Sequence, residues 1–372
     1  MRIGIDAKWY FTGPVSTRTM LQNLLPILFE IYSTHQWFVF LDRKDRGKDF
    51  PIKHSHIEII YVWTPNNMLS NLFILPRYAR RLSLDVVLFQ TFPGSRKEFK
   101  SIAFIHDVLF KSFPQYFTWK ERLYFFPLAY FTKKADRLIA TTNFVKNELI
   151  KYGYAESVAR IDLVPLGVSS NFKPLALHDT ALAHKLRKKY NLPDDFILFV
   201  GRLNARKNIE SLLRAFPMLK NKSVSLIIAG KEDWKKPNLE KLMTNTAIGS
   251  RVLFTGPIHD NELPALYAMS KIFCFPSFAE GFGLPPLEAM ASAVPVVVSD
   301  STALPEICGS AALYIDANDP ATIAHSIDEL LENQKLYEKM KTEGINRASS
   351  FTWTITSNKL MESIASSLKK DH

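Results

Sequence analysis

The sequence predicts an α/β fold of two parallel-sheet domains facing each other across a cleft, and three observations carry that expectation. Short apolar strand segments alternate with longer helical patterns along nearly the whole chain, the arrangement that builds parallel sheets covered by helices. The alternation stops at a polar, weakly patterned stretch, residues 169–180, and then restarts. At 372 residues the chain has room for two domains of about 150 residues each.

In the first half, strands are expected at residues 2–6, 37–41, 57–62, 86–89, 101–105 and 137–140, with a short one at 160–164. Helical patterns at 17–32 and 142–152 lie between them. The second half opens with an apolar strand at 196–200, followed by a helix at 208–219 and a strand at 225–229 that ends at Gly230. Strands at 251–254 and 271–275, a helix at 287–293 and a strand at 294–299 complete it. An amphipathic helical tail, 352–370, is expected to return to the first domain. The expected division is therefore residues 1–168 with 352–372 against residues 169–351, with 169–180 as linker.

Composition fits a folded globular protein, with 47% hydrophobic and 22% charged residues. The formal charge of +11 implies an acidic partner, for which nucleotide sugars, anionic lipid headgroups and nucleic acid all qualify. The two cysteines, Cys274 and Cys308, have no metal-ligand spacing and call for no oxidising compartment. Residues 1–9 read as a strand rather than a signal peptide, because the apolar h-region is missing. No apolar run approaches the roughly 20 residues that span a bilayer. A cytoplasmic location follows as the expectation.

The strongest chemical signal is Phe278-Ala279-Glu280-Gly281-Phe282-Gly283-Leu284-Pro285-Pro286-Leu287-Glu288. A strand ends at Phe275, a loop follows, and the two prolines suit the first turn of a helix. Glu280 then falls in the loop and Glu288 in the first turns. Gly281 and Gly283 have no Cβ, so their backbone N–H groups can approach a ligand closely. The helix N-terminus adds partial positive charge for a phosphate.

A second signal, Gly201-Arg202-Leu203-Asn204-Ala205-Arg206-Lys207-Asn208, directly follows the strand at 196–200. Arg202 and Lys207 lie at a strand's carboxyl end, and Asn208 is placed to cap the next helix. Two cations beside a helix start suit a diphosphate and would stabilise a departing nucleoside diphosphate. The third signal, His106-Asp107, ends a first-half strand. A capping aspartate beside a structural histidine explains that pair as well as a catalytic role does.

These elements in this order resemble glycosyltransferase family 4, retaining enzymes of the two-domain, Rossmann-like GT-B fold, and among them the mannosyltransferase-like members. The resemblance takes in Asp6, residues 141–149, 164–168, 200–208, 254–257, 280–288 and 303–306, and Phe351-Thr352-Trp353. It implies an acceptor-side first domain and a nucleotide-sugar-binding second domain. It implies that Arg202 and Lys207 hold the donor diphosphate and that Glu280 binds hydroxyls of the transferred sugar, with Gly281, Phe282, Gly283 and Leu284 nearby. Glu288 would hold the ribose, Ile258 would lie against the base, and His106 would lie beside the donor sugar. The chain departs from the pattern at its first loop, where Gly13-Pro14 replaces the usual Gly-Gly. Pro14 has no N–H, which leaves Gly13 as the phosphate contact there.

The function so implied is a retaining transfer of a hexose, with mannose and hence GDP-mannose favoured, to a glycan or lipid-linked acceptor in surface polysaccharide or glycoconjugate synthesis. No Asp-x-Asp occurs, so the two cations stand in for a metal, and no cofactor beyond the nucleotide sugar is expected. The alternatives are a sugar-nucleotide epimerase of the same fold, or a non-catalytic membrane-associated scaffold. Residues 111–137 interleave Lys111, Lys120, Arg122, Lys133, Lys134 and Arg137 with aromatics. That stretch reads either as a peripheral contact with the inner membrane face, with Phe117, Trp119, Phe125 and Phe126 inserting, or as a helix with a core face and a solvated face. Nucleic acid is not an expected partner, because no nucleic-acid-binding motif accompanies the charge. Neither the Gly-x-Gly-x-x-Gly nor the Gly-x-x-x-x-Gly-Lys-[Ser/Thr] phosphate loop is present.

Overall fold

A computed structural model describes residues 1–94, 97–231, 249 and 251–369. The chain forms two compact units, Met1–Gly167 with Thr352–His372, and Val168–Phe351.

Unit 1 holds a seven-stranded parallel sheet built from β1 (Arg2–Asp6), β2 (Gln36–Asp42), β3 (Ile57–Val62), β4 (Val86–Gln90), β5 (Lys100–Ile105), β6 (Arg137–Ala140) and β7 (Ile161–Leu163). Their order is β3-β2-β1-β4-β5-β6-β7. Strands covered on both faces read as continuous apolar runs, and β2 and β4 do so: residues 37–42 and 86–90 are all buried. The C-terminal helix Trp353–Leu368 belongs to this unit and packs on the helix Val15–Ile31. Its Thr356 hydroxyl donates to the Pro165 carbonyl (2.8 Å), and Ser363 donates to Asp162 (2.6 Å). The last expected tail position, Lys370, lies outside the described residues.

Unit 2 repeats the plan with β8 (Phe196–Val200), β9 (Ser225–Ala229), β10 (Val252–Gly256), β11 (Ile272–Phe275), β12 (Val296–Ser299) and β13 (Leu313–Ile315), all parallel, in the order β10-β9-β8-β11-β12-β13. Both sheets start in the middle and grow first to one side, then to the other. The strand order therefore reverses between β1 and β4 in unit 1 and between β8 and β11 in unit 2. Open α/β sheets bind ligands at the carboxyl ends of the strands flanking such a reversal.

Three expectations need correction. The helix expected at 287–293 starts earlier, as Leu284–Ala291, because Gly283 takes a left-handed conformation (φ 109°) that turns the chain into it. A Cβ at Gly283 would lie 2.8 Å from the Leu304 side chain. The stretch expected to be a plain linker is partly packed: the Phe172 ring stands edge-on to Tyr267, centroids 5.5 Å apart. Strand β13 and the helices Pro320–Glu332 and Gln334–Ser349 were not anticipated.

Candidate active site

In unit 2, the loops that follow β8 and β11 meet at the strand-order reversal. The β8 loop enters through Gly201, whose N–H donates to the Ala229 carbonyl (3.0 Å) and whose own carbonyl lies against Gly230. The Asn204 side chain accepts from the Lys207 N–H (3.2 Å), closing one turn of 3-10 helix, Ala205–Lys207. Asn208 then adopts the left-handed region (φ 55°), which asparagine tolerates better than most residues. Its side chain does not cap the following helix as expected. The amide donates instead to the carbonyls of Pro276 (3.0 Å) and Ala317 (2.7 Å), tying this turn to the ends of β11 and β13. The turn directs Lys207 inward.

The β11 loop is braced from two sides. Phe278 N–H donates to the Arg206 carbonyl (2.9 Å), and Glu280 N–H donates to the Thr302 hydroxyl (2.9 Å). Glu280 is thereby held, 8% exposed, against two cations. Lys207 Nζ lies 2.7 Å from Oε1 and Arg206 lies 3.0 Å from Oε2, while Ser277 donates to Oε1. The Lys207 ammonium also sits 4.6 Å from the centre of the Phe275 ring. Burial alone would raise the Glu280 carboxyl, but the charges of Arg206 and Lys207 and the hydrogen bonds from Lys207 and Ser277 outweigh it, bringing it down to about 2. Glu280 is thus a carboxylate at any physiological pH and acts only as an acceptor, which suits hydroxyl donors.

Arg206, absent from the expected site, is therefore an ion-pair partner of Glu280; it also donates to the Ala279 carbonyl. The sequence offered only its adjacency to Lys207, whereas Glu280 is remote along the chain. Arg202 lies exposed at the start of the same loop.

Glu288 has a different environment. It lies on the helix Leu284–Ala291, buried, and the Tyr267 hydroxyl donates to its Oε2 (2.9 Å). Burial pushes its carboxyl up to about 7; the Tyr267 hydrogen bond opposes the rise, and the charge of Asp260 adds to it. Asp260 closes the loop that carries the half-buried Ile258 after β10. Gly281, Phe282 and Gly283 are buried, and Leu284 is half-buried. Pro285 and Pro286 carry no N–H, so backbone donors at this helix start come from the loop and from Leu284.

In unit 1, Gly13 sits against Trp9, with room for no Cβ: one would fall 2.7 Å from the Trp9 side chain. His106 follows β5 and is half-buried, its Nε2 3.3 Å from both Gln90 Oε1 and Thr17 Oγ1. Burial lowers its imidazole to about 4, so it is neutral at pH 7. Asp107 caps the next turn, accepting from the Leu109 N–H (3.1 Å). At the β1–β4 reversal, buried Lys8 bridges Asp6 and Asn71 (2.6 Å to the latter). Among the described residues no cluster of three or more histidine, cysteine or acidic side chains forms a metal-binding group.

The basic-aromatic stretch divides between core and surface. Phe117 and Phe125, expected to be available for membrane contact, pack instead against the unit 1 core. Trp119, Leu123, Phe126 and Tyr130 are 60–71% exposed. Lysines attend three of them: Lys120 over Trp119, Lys111 over Phe126 and Lys134 over Tyr130. No helix among the described residues is long and apolar enough to cross a membrane.

The chain matches the profile of glycosyl transferases group 1 over residues 183–347 and that of Glycosyltransferase Family 4 over residues 34–172. It is 32% identical over 261 residues to O-antigen chain mannosyltransferase B of Escherichia coli, a match covering 68% of this chain and 67% of that protein. It is 30% identical over 235 residues to the serotype-specific mannosyltransferase WbdA of Escherichia coli, covering 62% of this chain but only 29% of that longer protein. Among solved structures, sucrose-phosphate synthase from Thermosynechococcus elongatus superposes with a TM-score of 0.75 at 18% identity, covering 98% of each chain, which is a likeness of fold.

Proposed function

Because the chain belongs to glycosyltransferase family 4, we propose that it is a retaining, metal-independent mannosyltransferase that draws mannose from GDP-mannose and adds it to a glycan or lipid-linked acceptor of a surface polysaccharide. The observation that carries this reading is the Lys207–Glu280–Arg206 cluster at the β8–β11 reversal, with Glu288 on the helix that follows. The mannose preference rests on the similarity to the two Escherichia coli mannosyltransferases.

In this reading Lys207 and Arg202 take the diphosphate, with donors from Gly281, Phe282, Gly283 and Leu284. Glu280 accepts from sugar hydroxyls, Glu288 accepts from the ribose, and Ile258 lies against the base. Gly13 and His106 keep the phosphate and sugar roles that the family pattern implies, His106 as a neutral hydrogen-bonding group. As the bond from the anomeric carbon to the phosphate oxygen breaks, negative charge grows on the diphosphate, where fixed cations stabilise the transition state most. The acceptor oxygen attacks on the same face, and its proton passes to the departing phosphate oxygen. The chain contains no Asp-x-Asp, and Lys207 and Arg202 supply the charge that a metal would.

The roles of the two glutamates can be separated. Glu288→Ala should weaken binding of free nucleoside diphosphate, since a hydrogen bond to a charged group is worth about 1.5–3 kcal/mol. Glu280→Ala should lower turnover while leaving nucleoside diphosphate affinity less changed. Calorimetry showing equal loss of diphosphate affinity in both variants would remove the division of roles.

The exposed Trp119, Leu123, Phe126 and Tyr130, with their lysines, are proposed to meet an anionic membrane surface, where each basic residue contributes about 1 kcal/mol. Sedimentation with anionic liposomes should be strong at low salt and weaken as screening rises. Equal partitioning to neutral and anionic liposomes would count against that surface.

A further inference from the structure

Tyr267 donates a hydrogen bond to the Glu288 carboxylate, yet the reaction scheme gives it no role. It lies on the helix Leu263–Met269 and is fully buried. Its ring is fixed from two sides, edge-on to Phe172 and tilted on Phe273 with centroids 5.3 Å apart. Burial, with the charge of Glu288, raises the phenol well above its ordinary value, so the hydroxyl stays protonated and donates. Its oxygen is 2.9 Å from Oε2 of Glu288.

Building on the ribose role of Glu288, we propose that Tyr267 is a positioning residue for donor recognition: its hydroxyl holds Oε2 of Glu288, which fixes the rotamer and leaves Oε1 to accept from a ribose hydroxyl. A rigid aromatic donor suits this task, because the carboxylate is oriented before the ligand arrives and less ordering remains to be done on binding.

The arrangement also couples recognition to pH. A carboxylate accepts from a ribose hydroxyl more strongly than a neutral carboxyl does, and Glu288 changes between the two near pH 7. Tyr267 from its own helix stabilises the charged form, and Asp260 from the loop after β10 opposes it. The helix Gln334–Ser349 presents Gly344 against Met290 of the Glu288 helix. Cys274 of β11 and Cys308 of the helix Leu304–Cys308 are both pushed up by burial and stay neutral. Nucleoside diphosphate affinity should therefore rise as pH rises through about 7.

The test is calorimetric titration of GDP into the 372-residue chain from pH 6 to 9, in wild type, Tyr267→Phe and Glu288→Gln. Losing a hydrogen bond to a charged group should move the Tyr267→Phe midpoint up by about one pH unit. Affinity near neutrality should then fall several-fold and recover at high pH, which a misfolded variant would not do. A carboxyl-carbon NMR titration of Glu288 in the ligand-free proteins should show the same upward displacement. A wild-type midpoint in Tyr267→Phe by both methods would overturn the inference. Unchanged, pH-independent GDP affinity in Glu288→Gln, matching a flat wild-type profile, would instead overturn the ribose assignment on which it rests.

Discussion

Replacing Lys207 with methionine is expected to lower turnover by roughly a hundred- to a thousandfold, the usual cost of removing one preorganised charge stabiliser. Methionine keeps an unbranched stem against Phe275 and removes only the charge. The stability effect should be smaller than the catalytic one. Breaking a buried ion pair costs about 3–5 kcal/mol when the remaining charge is left alone, but Arg206, 3.0 Å from Glu280, is still there to pair with it. Nucleoside diphosphate affinity should fall together with turnover. Steady-state kinetics and a melting curve on the same preparation separate the two effects. Near-normal turnover with a lowered melting temperature would reduce Lys207 to a counterion for Glu280.

The second large effect is expected from a backbone contact that supports the same loop. A Cβ at Gly230 would fall 1.8 Å from the Gly201 carbonyl oxygen, and that neighbour is main chain with no rotamer to yield. Gly230→Ala should therefore force β8 and β9 apart where the Lys207 loop begins. The expected cost is about 3 kcal/mol or more, at the upper end for overpacking. Gly47→Ala is the control, because nothing lies within 4 Å of its added carbon. Denaturant unfolding of the two variants checks this, and equal midpoints would mean the strand ends can separate at little cost.

Much of the fold was legible because both sheets are parallel and covered, so their strands appear as unbroken apolar runs between turn signals. The bounds of β1, β3, β6, β8 and β9 are those read from the sequence. What escaped has physical reasons. Asn208 looks like a helix cap, but a left-handed backbone conformation turns its amide toward Pro276 and Ala317. Phe117 and Phe125 are indistinguishable in composition from Trp119 and Phe126, and only packing sorts core from surface. In the candidate site, Lys207 and Glu280 stood out because each lies in a loop that follows a strand, and Glu288 because it falls in the helix behind the Glu280 loop. Arg206 and Tyr267 did not, since each gains its meaning from a partner in another loop or helix.

If the unit 2 site activates a nucleotide sugar for transfer, the fate of the donor reports it. The purified protein is incubated with GDP-mannose, and separately with UDP-hexoses, without acceptor, and the products are resolved by anion-exchange chromatography and NMR. The expected result is slow release of free nucleoside diphosphate, fastest with GDP-mannose, accelerated by a glycan acceptor and at least about a hundredfold slower in Lys207→Met. Accumulation of an intact nucleotide sugar with an inverted hydroxyl would identify an epimerase and rule out the transferase reading.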